Sequence, residues 1–119
     1  MTIRILAVAF LFMRAPLLDR APAAYASRPN PYAQDPAAAK AGEKIYRREC
    51  SSCHGENAQG SRRAPALNSP AVRRAAPGTL FWVLRNGSLG AGMPSFSHLP
   101  EPQRWQVITY LKTLGNQDR

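Results

Sequence analysis

"ECSSCHGEN", residues 49–57, holds both cysteines of this 119-residue chain, Cys50 and Cys53, with His54 directly behind the second. Chance seldom places a chain's only two cysteines three apart with one of its two histidines next in line. Cys-x-x-Cys-His is the pattern that c-type haem attachment requires. Two thiols add across the two vinyl groups along one edge of a porphyrin, and two intervening residues let a helical turn present both sulfurs to that edge. The next residue then points under the iron. Cys50 and Cys53 are therefore candidate covalent anchors for one haem c, and His54 is a candidate proximal ligand.

Three other chemistries compete for these residues. A thioredoxin-like pair wants a strand before the motif and a long helix after it, whereas a helix-like stretch leads in here and a Gly- and Pro-rich loop follows. A zinc site would have to combine Cys50, Cys53 and His54 with His98. Adjacent residues rarely both reach one tetrahedral ion, and the two histidines lack the usual short spacing. A plain disulfide leaves His54 without a role.

The start of the chain reads as a targeting segment. Arg4 precedes the nine apolar residues Ile5 to Met13, too few to span a bilayer. Ala24-Tyr25-Ala26 fits a small-residue cleavage site, so residues 1–26 are expected to be a secretory signal and Ser27 the first mature residue. Arg14, Asp19 and Arg20 make the intervening gap longer and more charged than a good signal has, and a misassigned start or an uncleaved amphipathic anchor are the alternatives. Export to the periplasm agrees with covalent haem attachment.

The formal charge is +9. Removal of residues 1–26 takes away Arg4, Arg14, Arg20 and Asp19 and leaves +7. With no nucleic-acid-binding motif and an exported destination, the more useful inference is an acidic protein partner met by electrostatic steering. Membrane contact is expected only if the N-terminal segment stays uncleaved, and a monomer is expected.

Residues 27–34, with two prolines and no apolar period, read as a flexible leader, and residues 35–116 as the domain, with 117–119 a tail. Asp35-Pro36 supplies an N-cap and a first helical residue. Ala38, Ala41, Gly42, Ile45 and Tyr46 then share one face of a helix ending near Glu49. Gly42 in that face costs helix stability, which close approach of another helix would explain. A loop over 55–77 follows, with a short helix around Pro70 to Ala75. A second periodic segment runs from Pro77 to Gly87 with Leu80, Val83 and Leu84 on one face. A final helix starts near Pro100 to Pro102, carries Val107, Tyr110, Leu111 and Leu114, and closes at Gly115. No alternating strand pattern and no repeat occurs. The expectation is an all-α domain of roughly 80 residues, a size that buries too little surface to be comfortably stable alone. Its loops make sense if they wrap a large flat ligand.

Met93 is the one methionine beyond the signal segment. Set between Gly92 and Pro94 in a loop, it is not placed like a core-filling methionine. Gly92 permits an unusual backbone angle and Pro94 stiffens the other side. Met93 is the candidate sixth ligand, His/Met being the usual cytochrome c ligation. His98 is the competitor, with a surface histidine as the blander reading.

From about Asp35 to Gly115 the sequence resembles a class I monohaem cytochrome c, of the kind seen as free electron carriers and as haem domains of dehydrogenases. Gly42 and Tyr46, "CSSCHG", Pro65-Ala66-Leu67, "LRNG" at 84–87, "MPSF" at 93–96 and "WQVITYLKTL" carry the likeness. The resemblance implies a cytochrome c fold, three main helices and long loops around one covalently attached haem. It implies that the first and last helices cross at Gly42 with Tyr46 and Tyr110 near the contact. It also implies that the Pro65 carbonyl accepts a hydrogen bond from His54 and that Leu67 packs on the haem face. Arg62-Arg63 and Arg73-Arg74 fall outside the family pattern. The function expected is exported one-electron transfer on a His/Met-ligated haem c, not enzymatic catalysis. The alternatives are a haem subunit fed by a periplasmic dehydrogenase, or a haem enzyme or sensor with an exchangeable sixth ligand.

Overall fold

Asp35 opens the first long helix. Its carboxylate accepts from the backbone N–H of Ala37 at 2.9 Å and of Ala38 at 3.3 Å, and Pro36 takes the first helical position. The computed structural model describes residues 16–114, and within that range the architecture is helical with no β-strand. We label the helices α1 (Ala23–Ala26), α2 (Pro36–Glu49), α3 (Ser51–His54), α4 (Pro70–Arg74), α5 (Pro77–Asn86) and α6 (Glu101–Leu114). Short 3-10 turns occupy Leu17–Arg20 and Leu89–Ala91.

The scaffold is the crossing of α2 and α6. A Cβ built on Gly42 would lie 1.9 Å from the Gln106 carbonyl oxygen and 3.0 Å from Tyr110 Cβ, so only glycine lets the two helices come this close. The expected compensation for Gly42 is thereby found. Tyr46 and Tyr110 meet beside the crossing with ring centroids 5.5 Å apart. The core continues through Ile108, Leu111 and Leu114 of α6 to Leu80 and Phe81 of α5, where Phe81 stacks on Trp105 at 4.1 Å. α5 and α6 begin where the sequence placed them, and Gly87, at φ 67°, ends α5 as expected. Gly115, the expected end of α6, lies outside the described residues.

The flexible leader expected over 27–34 is corrected by the structure, because this stretch is folded onto the domain. Asn30 is buried, with its amide 2.9 Å from Thr109 Oγ1 and 3.5 Å from the Trp105 carbonyl. Arg28 pairs with Glu101 at 2.6 Å and lies over the Phe81 ring at 4.8 Å. Further upstream, α1 packs on α5: the Tyr25 carbonyl sits where a Cβ at Gly78 would be, and Arg85 donates to the Tyr25 hydroxyl. These contacts are polar and aperiodic, so hydrophobic patterning had nothing to register. Ala24-Tyr25-Ala26 falls within this packed segment, whereas Ile5 to Met13 lie outside the described residues. No helix among the described residues is long and apolar enough to cross a membrane.

Candidate functional site

α2 ends one residue before the motif. Cys50 leaves helical geometry at φ −122°, and the chain restarts as the single turn α3, closed by His54 N–H donating to the Cys50 carbonyl at 3.0 Å. Gly55, at φ 93°, stops that turn. The break sets Cys50, Cys53 and His54 on one turn at the end of α2. Tyr46 ties the two pieces together by donating its hydroxyl to the Gly55 carbonyl at 2.6 Å.

The His54 ring is buried, and its Nδ1 lies 2.8 Å from the Pro65 carbonyl oxygen. A carbonyl can only accept, so Nδ1 is the donor, and in the neutral ring Nε2 is the nitrogen that keeps a lone pair. A hydrogen bond of this kind fixes the ring orientation and tautomer of a metal-binding histidine.

The Pro65 carbonyl is held in place by a folded-back loop. Gly60 N–H donates to the His54 carbonyl at 2.7 Å, Ser61 Oγ donates to the Cys53 carbonyl at 2.6 Å, and Leu67 N–H donates to the Ala58 carbonyl at 2.8 Å. Gly60, at φ 87°, brings its Cα so close to residue 66 that a Cβ would sit 2.7 Å from the Ala66 nitrogen. Ala58 is the residue that sequence reasoning missed. It is fully buried in the left-handed region at φ 58°, costly for a side-chain-bearing residue, and its carbonyl receives both the Leu67 and Asn68 N–H groups. Nothing in the string "NAQG" signals this.

Met93 sits on a second loop brought to the same core. Ser88 and Met93 exchange both backbone hydrogen bonds, at 2.9 and 3.0 Å, across a 3-10 turn. Gly92 takes the left-handed angle that its position suggested, φ 88°. Phe96 N–H donates to the Leu84 carbonyl at 2.7 Å, fixing the strap against α5. Cys50, Leu67, Leu84 and Met93 are all half-buried and packed against the one hydrophobic core. His98 is exposed, with its ring 5.8 Å from Phe96.

The rival chemistries fit poorly. Both cysteines are free thiols. Burial, then the neighbouring charges of Glu49 and Cys53, push the Cys50 thiol up to about 12, opposite to the lowered thiol of a reactive Cys-x-x-Cys pair. No three His, Cys, Asp or Glu side chains converge among the described residues, so a zinc tetrahedron has no donor set. A haem fits the donors present. They comprise two unpaired thiols on one turn, an imidazole with Nε2 open, a half-buried thioether, and apolar Leu67 and Leu84 around them.

Comparisons with known proteins agree. Residues 37–111 match the family described as "Cytochrome C oxidase, cbb3-type, subunit III". The "Cbb3-type cytochrome c oxidase subunit CcoP" of Azospirillum brasilense is 32% identical over 94 residues, covering 72% of this chain. The chain spans about a third of that curated relative, 32% of its length. Among solved structures, cytochrome CL from the marine methylotroph Methylophaga aminisulfidivorans MPT superposes with a TM-score of 0.62 at 27% identity. That match covers 71% of this chain and 58% of the other. With this fold, these donors and these relatives, the chain belongs to the cbb3-type cytochrome c oxidase subunit III family, as a cytochrome c domain whose function is haem c electron transfer.

Proposed function

We propose that one haem is held covalently through Cys50 and Cys53, with His54 Nε2 and Met93 Sδ as its axial ligands, in a domain that works in the periplasm. The observation that carries this reading is the 2.8 Å contact between His54 Nδ1 and the Pro65 carbonyl, which leaves Nε2 as the only ring nitrogen able to bind iron. The bound haem supplies a one-electron Fe(II)/Fe(III) couple. The chain does the rest. Pro65 holds the imidazole at a fixed angle from a loop that Ala58 braces, Met93 would supply the second iron ligand, and Leu67 and Leu84 would keep water away. With His54 and Met93 both on the iron, no small substrate would reach it, and the chain would act as a carrier.

Acid-acetone extraction of the denatured protein tests the attachment. Haem that stays with the polypeptide supports two thioethers, and haem in the organic phase contradicts them. Cys53→Ala is expected to leave one thioether or to block maturation.

The likeness to CcoP favours a second reading, in which the domain is the haem subunit of a larger redox complex. The site chemistry is the same, and co-purification of the native holoprotein with a membrane oxidase or dehydrogenase separates the two. In either case an acidic surface on the partner suits the +9 charge of the chain.

A further inference from the structure

α2 carries two parallel rows of side chains on one flank. Ala37, Ala41 and Ile45 form one row and Lys40, Lys44 and Arg48 the other, each with the four-residue spacing that makes neighbours along a helix. With Gln103 and Gln106 of α6 they line a groove of about 470 Å³, and no acidic residue is among its walls. Ile45 is buried, Ala41 is half-buried, and the three cations are exposed. Like charges four apart on a helix repel and weaken it. Elsewhere α2 does the opposite, pairing Arg47 with Glu43 across one turn at 2.9 Å. In the cationic row Arg48 reaches only its neighbour Glu49, at 3.3 Å, while Lys40 and Lys44 meet no carboxylate among the described residues. Only three of the chain's 16 basic residues are lysines, and the third, Lys112, donates to the Val72, Arg73 and Ala75 carbonyls. Both uncommitted lysines therefore stand on this groove.

We infer that this groove docks an acidic amphipathic helix of a partner polypeptide, laid along α2 at a shallow angle. Such docking rests on the reading of the domain as the haem subunit of a larger redox complex, and it names the contact that holds the domain there. Shape and charge select the occupant. The three cations span two helical turns, about 12 Å, so carboxylates one turn apart on a facing helix meet them in register. Beside them, small Ala37 and Ala41 leave a trough that a ridge of apolar side chains on that helix fills. A second copy would bring cations against cations and be repelled. A bilayer meets the rim cations and leaves the trough empty. Every lining residue lies beyond position 26, so the groove is present whether or not the N-terminal segment is cleaved. None of them belongs to the loops that carry Pro65 and Met93. A helix held here therefore tethers the domain and leaves those loops free, which raises the effective concentration of the domain at its redox partner without occupying the electron-transfer contact.

The test treats native host membranes holding the holoprotein with a water-soluble carbodiimide, which joins a lysine amine to a carboxylate in contact with it, and maps the linked peptides. The expected result is Lys40 or Lys44 joined to Asp or Glu of another polypeptide, in a segment whose acidic residues recur three or four apart. Lys40→Glu combined with Lys44→Glu should lower the fraction of holoprotein retained in its complex after mild detergent extraction at least tenfold. Ala37→Gln, which fills the trough without changing charge, should lower it at least threefold. The haem spectrum and far-ultraviolet dichroism of both variants should match wild type. Retention within twofold of wild type in both variants overturns the docking site and leaves the subunit reading standing. Loss in the charge-reversed variant alone marks diffuse attraction and overturns the docked helix. Cross-links only to a second copy overturn the proposal. So does binding to phosphatidylglycerol vesicles that charge reversal abolishes while no protein cross-link forms. A wild type that leaves native membranes free and uncross-linked removes the subunit reading, and the docking with it.

Discussion

Gly42 of α2 and Gln106 of α6 touch backbone to backbone, leaving 1.9 Å between the Gln106 carbonyl oxygen and the place a Cβ at Gly42 would take. The obstacle is main chain, so a methyl group there cannot be accommodated by rotating a side chain. Gly42→Ala is expected to push the helices apart at a cost of about 2–3 kcal/mol. Thermal unfolding of the holoprotein should then fall by roughly 10–20 °C, while the covalent haem stays attached.

Asn30 predicts how far the folded unit extends upstream. Its buried amide donates to Thr109, and its side-chain oxygen accepts the Tyr32 N–H at 2.9 Å. Asn30→Ala should cost about 1–2 kcal/mol by leaving buried polar groups unpaired. A chain starting at Ser27 would also lose the Tyr25 contacts with Arg85 and Gly78. Melting curves of holoproteins starting at Ser27 and at Pro16 should show the longer form more stable, and intact mass of the native protein tells which form the cell keeps.

Tyr46 gives the domain a pH signature. It is fully buried, and burial, followed by the nearby Cys50 and Tyr110, raises its hydroxyl from 10.0 to about 12. The folded pKa lies above the unfolded one, so this stabilisation is complete below pH 10 and is lost as pH rises towards 12. The loss amounts to at most about 2–3 kcal/mol. Tyr46→Phe should be less stable at neutral pH by about 1 kcal/mol, having lost the hydroxyl bond to the Gly55 carbonyl. Its stability should fall less steeply above pH 10. Denaturant midpoints of the two proteins between pH 8 and 12 check the sign; part of the slope remains in the variant because burial also raises Tyr110.

How much of this was legible beforehand depended on periodicity and on chemistry. Helical spacing put Gly42, Tyr46 and Tyr110 on apolar faces, and the cost of Gly42 pointed to a close approach of some other helix; that this helix is the last one, with the two tyrosines at the contact, came from the family resemblance. His54 and Met93 stood out by residue type and by their neighbours. Ala58 did not, since an alanine in the left-handed region leaves no mark in a sequence. The packing of Arg28 and Asn30 was equally silent, because hydrogen bonds and a cation over a ring carry no repeat. The kink at Cys50 was hidden for a related reason, as the helix and the turn after it have similar residue preferences.

Arg62 and Arg63, both exposed on the loop after the motif, are expected to speed encounter with an acidic partner. Reversing both to Glu should lower the bimolecular electron-transfer rate several-fold and leave the reduction potential nearly unchanged. The wild-type rate should fall with added salt, as charges are screened beyond about 8 Å at physiological ionic strength. A rate flat in salt would reduce the basic surface to a solubility feature.

Met93 carries the most direct test of the whole account. The ferric holoprotein should show the weak red charge-transfer band of sulfur bound to iron and should bind cyanide only slowly, and the ferrous form should bind carbon monoxide only slowly. Met93→Ala should remove the band and open the site, and Met93→His should keep six ligands while lowering the potential. A wild type that lacks the band and takes up these ligands at once would contradict the His54/Met93 carrier and favour an open-site haem protein.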